Sequence, residues 1–237
     1  MKTIASRHNP SFKRLREALR RPEQEIALEG RKQVEDAIAA GWKPALLVTR
    51  GPIREDAVAF TPELFDALSD TSTPQDLIGL FLRPRHDAGD ILRSGRAPVV
   101  VLDAVQDPGN VGTIIRLAAA FDCAGVILLH GCADAYSPKA VRASAGAILA
   151  VPVAQARARA VLDSGLPLFA ADARGAPIDP PAREAALVFG SEGGGVSNEL
   201  LLAATAIRIP MSGRVESLNV AASAAILLAR SFAIRGT

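Results

Sequence analysis

Ile209-Pro210-Met211-Ser212-Gly213-Arg214-Val215-Glu216-Ser217-Leu218-Asn219-Val220-Ala221-Ala222 runs from an apolar strand through a polar turn into a helix of very small residues. Two similar junctions precede it. One is Asp107-Pro108-Gly109-Asn110-Val111-Gly112-Thr113-Ile114-Ile115-Arg116, and the other is Phe189-Gly190-Ser191-Glu192-Gly193-Gly194-Gly195-Val196-Ser197. Each is a polar, glycine-rich corner that follows an apolar strand. An open α/β sheet places its ligand site beyond the carboxyl ends of its strands, so three such corners predict a site.

The flanking pattern fits that sheet. Val99–Leu102, Val126–Leu129, Val151–Val153, Leu166–Ala170, Leu187–Phe189 and Ile207–Ile209 read as short, nearly all-apolar strands. Helical segments separate most of them: Thr113–Phe121, Pro138–Leu149, Gln155–Asp163 and Asn198–Ala203, with Leu218–Phe232 closing the chain as a helix. Continuous apolar strands alternating with helices imply a mainly parallel sheet buried on both faces.

The front of the chain reads as a smaller α/β unit. Phe12, Leu15, Ala18 and Leu19 have helical spacing after Asn9-Pro10, and Ile26–Leu28 reads as a strand. Lys32–Ala40 is a helix closed by Gly41, Ala45–Thr49 a strand, Thr61–Leu68 a helix and Gly79–Leu82 a strand. Pro84–Arg96 is polar, contains two glycines and reads as a linker. The expected division is therefore 1–90 and 97–237.

Composition narrows the function. About half of the 237 residues are apolar, so a sizeable core is expected. No apolar run reaches the roughly 18 residues needed to span a bilayer, and no membrane partner is expected. The charged N-terminus lacks a signal-peptide pattern, which points to the cytoplasm. Cys123 and Cys132 are the only cysteines and have no zinc-type spacing. His8, His86 and His130 have no acidic or cysteine neighbours at ligand spacing, so no metal is expected. Net charge is +2, but residues 1–50 carry +5 and the remainder −3. A basic front end suits a polyanion, since displaced counterions supply affinity; a solvated helix face reads the same way. Lys13, Arg14 and Arg31 are the candidates there. Lys139 and Arg142, three apart after the Ser137-Pro138 helix start, share a face that suits phosphate or plain solvent.

Each corner carries chemistry. In the first, the exposed N–H groups of a helix start favour anions, and Arg116 adds a planar fork suited to phosphate. A dinucleotide-binding corner fits poorly, because the glycine spacing is not G-x-G-x-x-G and the next strand ends in His130 rather than an acid. In the second, four glycines free the backbone for close ligand approach around Glu192, which is placed to meet a ligand or to orient Arg116. No Gly-Lys-Ser/Thr follows, so it is not a Walker loop. In the third, Ser217 is placed to cap the final helix, with Asn219 in its first turn.

Taken together and in this order, the corners resemble the signature of the SpoU (TrmH-like) RNA 2′-O-ribose methyltransferases of the SPOUT superfamily. The resemblance runs from about Pro98 to Arg230 through Asn110-x-Gly112-x-x-x-Arg116, Gly190-x-Glu192-Gly193-x-Gly195-x-Ser197, Ile209-Pro210-Met211-x-Gly213 and Ser217-Leu218-Asn219-Val220. The basic front, with Leu28-Glu29-Gly30 and the Val34–Ala40 helix, looks like the family's L30e-like substrate-binding domain. The resemblance implies an α/β fold with a deep C-terminal trefoil knot, a homodimer, and S-adenosylmethionine as methyl donor. It implies that Gly190, Ile209 and Leu218, with Met211 and Gly195, bind the cofactor. It also places Asn110, Arg116, Glu192, Ser217 and Asn219 around the transfer site. The implied substrate is structured RNA, ribosomal RNA ahead of transfer RNA. A non-catalytic RNA-binding module with this fold is one alternative. A nicotinamide-dependent oxidoreductase is another, disfavoured by the missing glycine spacing.

Overall fold

Residues 3–52, 54–68, 76–95, 98–180 and 184–235 are described by the computed structural model. Contacts divide the chain into two units. One comprises Met1–Pro84 with Tyr136–Val141, the other Arg85–Ala135 with Arg142–Thr237. Arg96 and Ala97, where the sequence reading ends the linker and begins the second region, lie outside the described residues.

In the first unit, helix α1 (Pro10–Arg20) starts where Asn9 accepts the Ser11 amide at 2.9 Å and Pro10 supplies a preset φ. Its apolar stripe, Phe12, Leu15 and Ala18, is buried. Strand β1 (Glu25–Glu29), helix α2 (Arg31–Ala39), strands β2 (Pro44–Arg50) and β3 (Val58–Phe60), helix α3 (Pro62–Asp66) and strand β4 (Leu77–Leu82) follow. The mixed sheet has the order β1-β4-β2-β3. β3, only three residues long, is too short to be announced by a pattern in the sequence.

The second unit opens with helix α4 (Ala88–Leu92), inside the stretch read as a linker. Asp87 caps it, accepting the Asp90 amide at 3.1 Å, and Ile91 and Leu92 enter the core. The polar residues that resemble a linker are the cap and outer face of this single turn. Strand β5 (Val99–Asp103), helix α5 (Pro108–Ala120), strand β6 (Gly125–Leu128), helix α6 (Pro138–Ala143), strand β7 (Val153–Gln155) and helix α7 (Ala158–Leu162) come next. Strand β8 (Leu168–Ala176), strand β9 (Ala186–Gly190), helix α8 (Asn198–Ala203), strand β10 (Thr205–Ile207) and helix α9 (Val220–Arg235) complete it. The sheet order is β10-β8-β9-β5-β6-β7, and every pairing is parallel. The expected mainly parallel α/β sheet is therefore present.

Several boundaries differ from the sequence reading. α5 starts five residues early, at Pro108, because Asp107 accepts the Gly109 amide at 2.6 Å and caps it there. The Pro138–Leu149 helix breaks after Ala143, where Ala145 and Gly146 adopt positive φ before a single 3-10 turn. β7 begins after Pro152, which has no N–H to give a ladder. No described helix is long and apolar enough to cross a membrane.

The fold positions the site through one change of direction. From β5 the chain steps outward to β6 and β7, whereas β8, β9 and β10 lie on the other side of β5. β5 and β9 are adjacent, with Asp103 opposite Gly190 at their carboxyl ends. A crevice opens where strand order reverses, and polar corners gather there.

Candidate active site

The first and third corners are helix starts. Asn110 lies in the first turn of α5, two residues past Pro108. Asn219 immediately precedes α9, and its side-chain oxygen accepts the amides of Ala221 at 2.9 Å and Ala222 at 3.3 Å. It is therefore Asn219 that caps α9; Ser217, expected as the cap, lies exposed in the preceding loop. The second corner folds back on itself, with Ser191 and Gly195 exchanging backbone hydrogen bonds at 3.2 and 2.9 Å. A Cβ on Gly190 would collide with the backbone of Gly195 and Val196, so only glycine permits this closure.

These corners meet through side chains. The Asn219 amide donates to Asn110 Oδ1 at 3.2 Å, and the Asn110 amide donates to Glu192 Oε1. Orientation is dictated from one end. Asn219 Oδ1 is occupied by two backbone N–H groups, so its NH₂ faces Asn110. Asn110 then presents its oxygen to Asn219 and its NH₂ to Glu192. Of the two roles open to Glu192, meeting a ligand or orienting Arg116, the second is not formed here, since Glu192 receives Asn110. Arg116 lies six residues beyond Asn110, about 240° around the helix, and its side chain is exposed.

Beside this relay lies a cleft of about 390 Å³. Gly190, Gly195, Ile209, Met211, Ser217 and Leu218, all proposed from sequence, line it together with Glu192. Its apolar wall includes Phe189, Ile207 and Leu227. Among the described residues, neither the Ile209 nor the Leu218 amide has an intramolecular hydrogen-bond partner.

Three charged residues outside the motif pattern also shape the site. Asp103, buried at the end of β5, accepts the Ser197 amide at 2.7 Å and so ties the base of the Glu192 loop to the sheet. Its only sign in the sequence is an acid closing an otherwise apolar strand. Asp172 and Arg174 line the cleft from β8. Arg174 Nε and Nη2 bind the two Asp172 oxygens at 3.0 and 2.9 Å, and the guanidinium holds the Asp172 carboxyl below its usual range. Burial raises the Cys132 thiol, which donates to the Leu102 carbonyl at 3.2 Å.

The basic candidates are distributed as follows. Lys13 and Arg14 lie on α1 and Arg31 on α2. Arg14 is bound to Glu25, and Arg31 approaches Glu35 at 3.9 Å, whereas Lys13 is exposed. Lys139 and Arg142 are both exposed on α6. Among the described residues, no group of three or more His, Cys, Asp or Glu is arranged to hold a metal ion.

The model of the SpoU rRNA Methylase family matches residues 97–229, which hold all three corners. The chain belongs to this family. A relative in Bacillus subtilis (strain 168), the 23S rRNA (guanosine(2553)-2′-O)-methyltransferase RlmP, is 34% identical over 85% of this chain and 86% of its own length. Among solved structures, an AdoMet-bound rRNA methyltransferase from Sinorhizobium meliloti matches with a TM-score of 0.86, 30% identity and 97% of both chains covered. An RNA 2′-O ribose methyltransferase matches with a TM-score of 0.81 and 28% identity over the whole of both chains.

Proposed function

We propose that this chain transfers a methyl group from S-adenosylmethionine to a ribose 2′-hydroxyl of structured RNA, ribosomal RNA in preference to transfer RNA. The observation that carries this reading is the Asn219–Asn110–Glu192 relay at the edge of the cleft, in a chain of this family.

The cleft suits the cofactor. Its volume falls within the range of small-molecule sites, roughly 300–1,000 Å³. An apolar wall accepts an adenine face, and the unpartnered amides of Ile209 and Leu218 offer donors to its edge. Gly190, Ile209, Leu218, Met211 and Gly195 are the residues proposed to hold it. When bound, S-adenosylmethionine supplies a sulfonium methyl, which is already an electrophile.

The protein's task is then chiefly orientation. Asn110, Glu192, Ser217 and Asn219 surround the acceptor hydroxyl and fix its direction. Arg116 keeps its charge, since guanidinium does not deprotonate in proteins, and so is not a general base. Its role is to anchor the adjacent phosphate and to stabilise negative charge developing on the hydroxyl oxygen.

The first unit, whose main segment ends at Pro84 rather than at residue 90, serves as an L30e-like RNA-binding domain, and the second serves as the methyltransferase domain, whose C-terminal part threads a trefoil knot. Lys13, Arg14, Arg31, Lys139 and Arg142 face RNA phosphate. The working form is a cytoplasmic homodimer. The test is methyl transfer from labelled S-adenosylmethionine to RNA of cells lacking this protein, followed by mapping of 2′-O-methyl sites. Label in one ribosomal RNA position is expected. Cofactor binding with no transfer to any RNA would leave a non-catalytic RNA-binding protein.

A further inference from the structure

We propose that Asp172 and Arg174 hold the amino-acid end of S-adenosylmethionine, Arg174 taking the α-carboxylate and Asp172 the α-ammonium. The inference rests on the cofactor reading above and assigns a part of the cleft that the corner motifs do not reach.

The local backbone explains why these residues are there. β8 pairs with β9 only through Leu168–Ala170, yet it continues to Ala176. On its other side, Ala206 pairs with Ala170 and the next residue, Ile207, with Ala176. The residues between, 171–175, therefore bulge from the ladder. A bulge re-aims side chains, and here the displaced segment lines the cleft. Within the bulge the Arg174 guanidinium bonds both Asp172 oxygens, which keeps the two side chains together.

The chemistry matches one end of the cofactor. Adenine needs flat apolar walls and backbone groups, which Phe189, Ile207, Ile209 and Leu218 provide. The amino-acid end carries a carboxylate and an ammonium, and such charges need partners or water. Glu192 is engaged with Asn110. Asp172 and Arg174 offer one group of each sign at neighbouring positions. The Arg174 amide and Nε both meet Asp172 Oδ1, at 2.7 and 3.0 Å, which fixes the carboxylate. Arg174 is mostly solvent-exposed and its Nη1 edge has no partner among the described residues. That edge is shaped to receive a carboxylate through two parallel hydrogen bonds.

The experiment compares two ligands that share adenosine and differ at this end. S-adenosylhomocysteine has the amino-acid end; 5′-methylthioadenosine lacks it. Binding of both to the full chain is measured by calorimetry for the wild type, Arg174→Ala, Arg174→Lys and Asp172→Asn, with Arg208→Ala as the control cation lining the same cleft. Arg174→Ala is expected to weaken S-adenosylhomocysteine about tenfold, the loss of a charge-assisted pair, while 5′-methylthioadenosine stays within about twofold. Arg174→Lys, which keeps the charge without the fork, should fall between. Equal weakening of both ligands, or of neither, overturns the proposal and leaves the cofactor reading standing. A larger selective loss in Arg208→Ala overturns it in favour of Arg208. A wild-type chain that binds neither ligand overturns both readings.

Discussion

The Asn219 amide meets Asn110 Oδ1 at 3.2 Å, joining the start of α9 to the start of α5 across 109 residues. Asn219 thus performs two tasks with its two ends: its oxygen caps a helix and its nitrogen holds the relay. They separate by substitution. Asn219→Ser keeps a capping oxygen but loses the amide nitrogen that reaches Asn110; Asn219→Ala loses both. Asn219→Ala should lower stability by about 1 kcal/mol in urea titration, and Asn219→Ser by much less. Both should lose methyl transfer to a similar degree. Full activity in Asn219→Ser would remove the relay from the mechanism.

Asn110 sits between a donor and a carboxylate, so its charge matters more than its shape. Asn110→Asp is nearly isosteric but sets a second carboxylate against Glu192. Like charges this close disfavour ionisation of both. Asn110→Asp should therefore be no more active than Asn110→Ala, and its residual transfer should rise as pH falls toward the carboxylate range. A flat pH profile for Asn110→Asp would contradict the Glu192 contact.

Asp103 is buried and accepts the Ser197 amide at 2.7 Å. Asp103→Ala leaves that donor without its acceptor, a loss of about 1–3 kcal/mol. Asp103→Asn retains an oxygen and should recover more than half of the loss. Urea midpoints at neutral pH measure both. Equal destabilisation by the two variants would mean that the carboxylate charge, not the hydrogen bond, holds the loop.

Arg116 is exposed on α5 and is not bonded to Glu192. Arg116→Ala should abolish transfer, by at least about a hundredfold as for other groups that stabilise developing charge, while S-adenosylmethionine affinity stays nearly intact. A parallel fall in cofactor affinity would place Arg116 in the cofactor site instead.

Acid stability has a predictable sign. Hydrogen bonds from Arg50 and Arg54 hold the carboxyls of Asp66 and Asp56 below their usual range. In the unfolded chain these groups protonate at about pH 3.9. Their stabilising contribution is complete above that value and is lost as pH falls through the lower folded values, because the unfolded state binds protons first. The double variant Asp56→Asn/Asp66→Asn should show a shallower loss of stability below about pH 4, with little change at neutral pH, where exposed pairs contribute little. An unchanged acid slope would show that these pairs persist in the unfolded chain.

Local patterns reached far into this fold and then stopped at identifiable points. Apolar runs such as Val99–Leu102 and Leu187–Phe189 marked buried parallel strands, and Asn9-Pro10 marked a helix start. These features depend on neighbours in sequence, so they are legible there. The helix at Ala88–Leu92 was hidden because one turn offers too few positions for a period, and the break at Ala145 and Gly146 because alanine gives no sign of positive φ.

What the sequence determined by itself was the class of sheet and the identity of the three corners, since burial periodicity, glycine freedom and capping are short-range effects. What only the tertiary structure decided was which atoms meet. The bonds from Asn110 to Glu192, from Ser197 to Asp103 and from Asn219 to Asn110 span 82, 94 and 109 residues. Such contacts depend on strand order, and apolar strands of a parallel sheet are too alike in composition to declare their neighbours. Order is set when the whole core packs, and only then does the cap of one helix become the hydrogen-bond partner of another.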